Sequence, residues 1–251
     1  VDAHVAVGEA SARRMEDFYA LGRRTVISIP NGIPEGTVAE MVQDIDPEMN
    51  AWIDFGKEIH ASGQLLVGIV GRLNAMKGHD LLLQAIAQVP GIHAVILGDG
   101  ELRSDLEQLA RRLGVGDRIH FLGWVENPRA YLPYLDIVAL PSRSEGFPLA
   151  MVEAMLAARA IVATPVGSVA EAILDGETGL LVAKDDAIAL AQALTQLRDQ
   201  PELRFKLGQQ AREKAIAEFT AAHMAQQYET LWYELRERPR RSRFWVGQPK
   251  E

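Results

Sequence analysis

The sequence predicts an α/β protein organised on a doubly wound parallel sheet. Three observations carry that expectation. From Leu65 onward, short all-apolar runs alternate with amphipathic stretches of about ten residues. Several of the runs end in glycine or a glycine-containing turn, as at Gly71, Gly98 and Gly123. The runs also lack the in-and-out polarity of a half-exposed sheet, so both faces of the sheet must be covered by helices.

In chain order, His4–Val7 and Thr25–Ile29 read as strands. They flank a helix near Ala10–Leu21 that Gly22 would close, and Pro30-Asn31-Gly32 then signals a turn. A helix is expected after Asp46-Pro47. Strands follow at Leu65–Val70, His93–Leu97, Arg118–Leu122, Ile137–Leu140, Ala160–Ala163 and Gly179–Val182, with helices at His79–Val89, Glu101–Leu113 and Met151–Ala158. Three more helical stretches, Ala187–Arg198, Glu202–Phe219 and Ala222–Glu237, close the pattern. One βαβ unit cannot bury both faces of its strands, so residues 1–32 read as the remnant of an N-terminal domain. Residues 33–64 then form a linker with a helix, 65–220 a complete domain, and 221–251 a C-terminal helix with a basic tail.

Composition narrows the function. Hydrophobic residues make up 48% of the 251, enough for a substantial core, and there is no cysteine, which excludes disulfides, thiol catalysis and thiolate metal sites. The net charge of −8 argues against general nucleic-acid binding. No apolar run approaches the roughly 20 residues of a membrane span, and no signal-peptide pattern opens the sequence. A cytoplasmic protein is therefore expected. The segment Arg236–Arg243 holds five arginines against one glutamate, with Phe244 and Trp245 beside it. It reads either as a solvated helix end or as a weak contact with an anionic membrane surface, which would place the protein at the periphery of the inner membrane.

The segment richest in chemistry is Glu145-Gly-Phe-Pro-Leu-Ala-Met-Val-Glu153. Proline at the first helical position predicts a helix from Pro148, with Glu145 on the loop before it and Glu153 inside it. The backbone N–H groups of Leu149 and Ala150 would be unpaired first-turn donors, suited to an anion. Phosphate in the middle and hydroxyls at either end is the layout of a sugar nucleotide. A second segment, Gly71-Arg72-Leu-Asn-Ala-Met-Lys77-Gly78, follows the first strand of the sheet, where such folds bind ligands. An arginine fork and a mobile lysine together suit a diphosphate, although a solvated basic loop would look the same.

Other features have plainer readings. Gly98-Asp99-Gly100 lacks the third glycine of a dinucleotide loop, and Asp99 reads as a helix cap and turn residue. Asp44-Ile-Asp46 resembles a metal-binding Asp-x-Asp but lies before Pro47 in a polar linker, where Asp46 suits a helix cap. The histidines show no metal-ligand spacing, and His79 is expected at a helix start facing solvent. Met15, Met76, Met151 and Met155 read as core filler. Phe121, Gly123 and the neighbouring Trp124 could flank a planar base, with ordinary packing of Trp124 as the alternative.

Taken in order, Asn31-Gly32, Gly71-Arg72, Lys77-Gly78, Gly98-Asp99-Gly100, Phe121-Leu-Gly123, Pro141-Ser142, Glu145-Gly-Phe-Pro-x4-Glu153 and Thr164-Pro-Val-Gly167…Glu171…Asp175-Gly-x-x-Gly179 resemble glycosyltransferase family 4. That family comprises retaining enzymes of the GT-B fold, two Rossmann-like domains facing across a cleft. The resemblance implies a nucleotide-sugar (donor) domain plus the end of the acceptor domain. Arg72 and Lys77 would contact the donor diphosphate and stabilise the leaving group, and Glu145 would bind hydroxyls of the transferred sugar. The backbone of Gly71, Gly146, Phe147, Pro148 and Leu149 would line the donor, with Glu153 on the ribose. It further implies a nucleoside-diphosphate sugar as co-substrate, no essential metal or other cofactor, and a glycan or lipid-linked acceptor in bacterial lipopolysaccharide-type synthesis. An epimerase or sugar-phosphate synthase on the same fold, or a non-catalytic sugar-nucleotide-binding module, are the alternatives.

Overall fold

A computed structural model describes residues 3–35 and 47–237. The first lobe is a small parallel pair, β1 (His4–Ala6) and β2 (Val26–Ser28), joined by α1 (Glu9–Phe18). Buried Glu16 on α1 ties the unit together: its carboxylate accepts the Val26 N–H at 3.0 Å and pairs with Arg13 at 2.8 Å. The helix stops at Phe18, before Gly22. Ala20 takes a left-handed conformation (φ 52°) and the Leu21 N–H bonds back to the Glu16 carbonyl, so the reversal comes early without a glycine.

After α2 (Pro47–Ala61) comes the six-stranded sheet. Its strands are β3 (Leu65–Val70), β4 (Ile92–Leu97), β5 (Ile119–Gly123), β6 (Ile137–Leu140), β7 (Ala160–Ala163) and β8 (Leu180–Leu181). All pair in parallel in the order β5-β4-β3-β6-β7-β8. The helices are α3 (His79–Gln88), α4 (Arg103–Arg112), α5 (Leu149–Leu156), a short α6 (Val169–Ala172), α7 (Ala187–Asp199), α8 (Pro201–Glu218) and α9 (Ala221–Glu237). The expected strand at Arg118 starts one residue later, because a 3-10 turn over Gly116–Arg118 aims that arginine at the carbonyls of Val89 and Ile92. Helix α4 starts at Arg103 instead of Glu101. Residues 99–102 are held to the preceding loop by bonds from Leu73 N–H to Asp99 O and from Leu102 N–H to Leu73 O.

Alternate strand residues serve opposite faces, which is why the strands read as unbroken apolar runs. Val67, Ile69, Ile96, Ile137 and Val162 pack under α3, α4 and α7; Leu66, Val95, Leu97, Val138 and Ile161 pack under α2, α5 and α8. Two small residues allow close approach. A methyl group on Gly68 would lie 2.2 Å from Leu135, and one on Gly208, within α8, 2.2 Å from the Ala158 carbonyl oxygen.

The chain returns to the first lobe at the start of α9. Ile33 and Thr220 form a parallel bridge, with Ile33 N–H to Phe219 O at 3.1 Å and Ala221 N–H to Ile33 O at 2.8 Å. Helix α9 then borders β2 across a cavity of about 610 Å³ lined by Ile27, Ile29, His223 and Leu231.

The environment of Gly208 reverses an ordinary expectation. Glycine to alanine inside a helix normally stabilises by about 1 kcal/mol, but here the added methyl meets a fixed carbonyl. Gly208→Ala is expected to destabilise the chain by about 1–3 kcal/mol in urea unfolding; a raised midpoint would show that α8 does not sit this close to Ala158.

Candidate functional site

Strand order reverses between β3 and β6, so the loops leaving these two strands open a crevice at the carboxyl edge of the sheet. The loop after β3 carries Gly71 to Gly78. Asn74 accepts the Met76 N–H through its side chain at 3.0 Å and starts a 3-10 turn over Ala75–Lys77. Gly78 then adopts φ 70°, and any Cβ there would lie 2.0 Å from the Pro141 carbonyl oxygen in the loop after β6. This abutment puts Lys77 against Glu145. The Lys77 Nζ to Glu145 Oε1 distance is 2.7 Å, the Ser142 hydroxyl donates to the same oxygen at 2.7 Å, and the Glu145 side chain is only 8% exposed.

A third loop fixes the Glu145–Gly146 backbone from behind. Gly167, after β7, sits at φ 57°, where a Cβ would be 2.1 Å from the Glu145 carbonyl oxygen, and the Ser168 N–H bonds to the Gly146 carbonyl at 2.9 Å. Pro148 is the extended N-cap of α5, one residue outside the helix it was expected to begin. Leu149 is therefore the first helical residue, and the first-turn N–H groups of Leu149 and Ala150 have no acceptor within the helix. Phe147 turns inward and its ring packs edge-on against Phe219 at 5.2 Å, while its carbonyl accepts the Asn31 amide at 3.3 Å. Gly146 faces Val7 and Ser11 of the first lobe.

Glu153 lies just over one turn into α5 and is partly buried. Desolvation pushes its carboxyl above the usual range, and the field of Arg129 opposes that shift. Arg72 stands apart from Lys77 and Glu145, 72% exposed, in a 3.4 Å pair with Glu101. An exposed pair of this kind contributes about 0–1 kcal/mol, so Arg72 can exchange it for a phosphate at little cost. Gly71 and Gly98 are pressed together, a Cβ on Gly98 falling 2.0 Å from the Gly71 carbonyl oxygen. The Gly98 N–H bonds to the Gly123 carbonyl at 2.7 Å. One face of the Phe121 ring is taken by the Arg103 guanidinium at 4.7 Å.

Three expectations are corrected, and one of two open readings is removed. Trp124 is 74% exposed and is not a packed residue. Met76 is half exposed on its 3-10 turn, unlike the buried Met151 and Met155. Asp99 caps no helix: it accepts the adjacent Gly100 N–H and shapes the turn. His79 does not face solvent; it is 1% exposed with neither ring nitrogen partnered among the described residues, and burial lowers its pKa to about 4. A neutral imidazole there adds no cation for a phosphate. The Asp44-Ile-Asp46 segment and the tail beyond residue 237 lie outside the described residues. Among those residues no cluster of three or more potential metal ligands occurs, and no helix is long and apolar enough to cross a membrane.

The first lobe walls the other side of the crevice. A cavity of about 720 Å³ runs between α1 and the loops after β6 and β7, lined by Ser11, Arg14, Phe18, Arg143, Glu145 and Gly167. Glu171 bridges the lobes, accepting the N–H groups of Glu9 and Ala10 at 2.9 Å each.

Comparison with known families settles the kinship, since residues 50–214 match the model of glycosyl transferases group 1. The chain belongs to that family. It is 31% identical over 159 residues to the lipopolysaccharide core biosynthesis glycosyltransferase LpsE of Rhizobium meliloti, covering 63% of this chain and 47% of that protein. It is 34% identical over 166 residues to the lipopolysaccharide core biosynthesis mannosyltransferase LpcC of Rhizobium leguminosarum, covering 62% and 47%. The fold matches crystalline HepE of Anabaena in complex with UDP at a TM-score of 0.82 and 23% identity, over 93% of this chain and 64% of that one. The chain thus spans about half the length of these curated relatives. The six-stranded parallel sheet is that of GT-B glycosyltransferases.

Within this group 1 domain, the sequence motifs pointed to Lys77, Glu145 and Glu153 but gave no role to Arg143, which lies between two of them. The Arg143 side chain bonds to Asp80, Asp185 and the Ala75 carbonyl. Only the residue's place inside the Pro-Ser-x-x-Glu motif could have drawn attention to it.

The buried state of Glu153 has a thermodynamic signature. A carboxyl whose folded pKa is raised favours the native state when protonated, and that advantage is lost as pH rises through the folded pKa. Glu153→Gln is therefore expected to melt above wild type at pH 7, the gap closing as pH falls below the raised pKa. A pH-independent difference, or a lower melting temperature at pH 7, would contradict this burial.

Proposed function

We propose that this chain forms the donor half of a retaining glycosyltransferase. It would bind a nucleoside-diphosphate sugar and present it to a glycan or lipid-linked acceptor in lipopolysaccharide-type envelope synthesis. The observation that carries the reading is the Lys77–Glu145 pair at the strand-order reversal, in front of the open N-terminus of α5. The names of the relatives LpsE and LpcC support the envelope assignment, and the UDP complex of HepE supports the ligand class. These named transferases favour transfer over epimerisation or sugar-phosphate synthesis.

In this reading the diphosphate lies between Lys77 and the first turn of α5. A lysine ammonium has three donors and Glu145 occupies one, so phosphate oxygens take the others without breaking the pair. Arg72 leaves Glu101 for the phosphate. Together the two cations and the helix N-terminus offset the charge that grows on the leaving diphosphate. Glu145 accepts hydroxyls of the transferred sugar, its second oxygen having no bonded partner among the described residues. Glu153 accepts the ribose hydroxyls, which replace the hydration it loses on burial. The exposed Trp232 and Tyr233 beside Arg236 on α9 suit a peripheral contact with an anionic cytoplasmic membrane face. The curated relatives extend well beyond the matched part, and acceptor positioning in a two-domain cleft needs both domains, so residues 1–251 alone would bind donor without robust transfer.

The two glutamates separate by ligand. Glu153→Gln should weaken the nucleoside diphosphate and the intact donor alike, since both carry the ribose. Glu145→Gln should spare the diphosphate and weaken the sugar-bearing donor selectively, by about tenfold for a lost charged hydrogen bond. Calorimetry showing the same affinity ratio in wild type and both variants would defeat these roles.

Because the cations and helix terminus supply the counter-charge, chelation with EDTA is expected to leave donor affinity unchanged. Loss of binding restored by manganese or magnesium would refute metal-independent binding.

A further inference from the structure

The turn that carries Lys77 is fastened on both sides by one residue from another loop. The Arg143 backbone N–H donates to the Met76 carbonyl at 2.7 Å, and its Nη1 donates to the Ala75 carbonyl at 2.8 Å. Past the lysine, the same guanidinium grips Asp80 in bidentate fashion, Nη1 to Oδ1 at 2.8 Å and Nη2 to Oδ2 at 2.7 Å. Its remaining edge, Nε, is held by Asp185 from the loop after β8 at 2.6 Å. Arg143 stands two residues before Glu145, whose carboxylate receives Lys77 Nζ. A closed ring results: Lys77 to Glu145, back along the chain to Arg143, and from Arg143 to both flanks of Lys77.

That ring matters because lysine is a point charge on a flexible stem, with several rotatable bonds to fix. A single contact to Glu145 sets its distance but not the position of its backbone. A planar fork bound to a carboxylate at two points is rigid, and here it fixes the turn from which the stem starts. Asp80, Asp185 and the Ala75 carbonyl take four of the five guanidinium hydrogens, leaving one on Nη2, which makes Arg143 itself a poor candidate for gripping a phosphate at two points. With two carboxylates already on it, the guanidinium brings no free positive charge to the crevice.

We infer that Arg143 is a positioning residue of the donor site. It sets Lys77 against the diphosphate by clamping the Ala75–Asp80 segment to the Glu145 loop. The inference rests on the donor-binding reading above.

The test uses the whole chain. UDP, GDP and ADP are screened against wild type, and the diphosphate bound best is titrated alongside its parent nucleoside, with Arg143→Gln, Arg143→Lys and Lys77→Ala compared. Arg143→Gln should lose about tenfold in diphosphate affinity, within the range of coupled contacts, with nucleoside affinity unchanged. Arg143→Lys, keeping the charge and a single bond, should lose less in the same diphosphate-specific way. In a Lys77→Ala background, Arg143→Gln should cause no further loss, because there is no ammonium left to position.

Equal weakening of nucleoside and diphosphate, additive losses in the double variant, or unchanged affinity would each overturn the role. So would failure of both Arg143 variants to fold, as judged by circular dichroism, since the residue would then serve the fold and not the lysine. A wild-type chain that binds none of the three diphosphates would instead refute the donor reading and take the inference with it.

Discussion

Every feature of the site depends on the close approach of two loops that leave adjacent strands on opposite windings. Helices from β3 and β6 depart to opposite faces of the sheet, so nothing in the sheet itself covers the space between them. In this chain the gap is closed by backbone contact. Gly78 lies so near the Pro141 carbonyl that no side chain fits between them, and Gly167 packs equally close against Glu145. Lys77 and Glu145 are opposed at 2.7 Å because their backbones are already fixed. The ion pair is a consequence of the glycine packing more than its cause, since a partly exposed pair contributes little stability alone.

The same packing explains which charges are costly. Glu145 has two bonded partners on one oxygen and tolerates its burial. Among the described residues Glu153 faces only the opposing field of Arg129, and desolvation pushes its carboxyl toward the protonated form. A partly desolvated carboxylate short of partners weakens the free protein and gains most from a ligand that supplies hydroxyl donors. Sites of this type concentrate function where local packing rules are broken.

Much of this was legible in the sequence. Strands buried on both faces leave unbroken apolar runs, so β3, β6 and β7 were placed to the residue. Helix boundaries were less legible where the ends are set by distant contacts: α4 starts late because residues 99–102 bond to Leu73, and α1 ends early at a left-handed alanine. In the site, residue types at strand ends pointed to Lys77, Glu145 and Glu153. They gave no sign that Arg72 would pair with Glu101 or that Arg143 would bond to partners 63 and 42 residues away. His79 departs from the expected solvent-facing position for a related reason. Polar residues at helix starts normally face water, but the contact of Gly78 with Pro141 seats this one inside.

On the proposed function, the crevice between the loops after β3 and β6 holds a nucleoside diphosphate. The most direct measurement is a crystal structure of the chain soaked with UDP or the diphosphate it binds best. Phosphate oxygens should lie within hydrogen-bonding distance of Lys77 Nζ and of the Leu149 or Ala150 N–H, with ribose hydroxyls on Glu153. A nucleotide seated elsewhere, such as the cavity between β2 and α9, with Lys77 bonded to Glu145 alone, would contradict it.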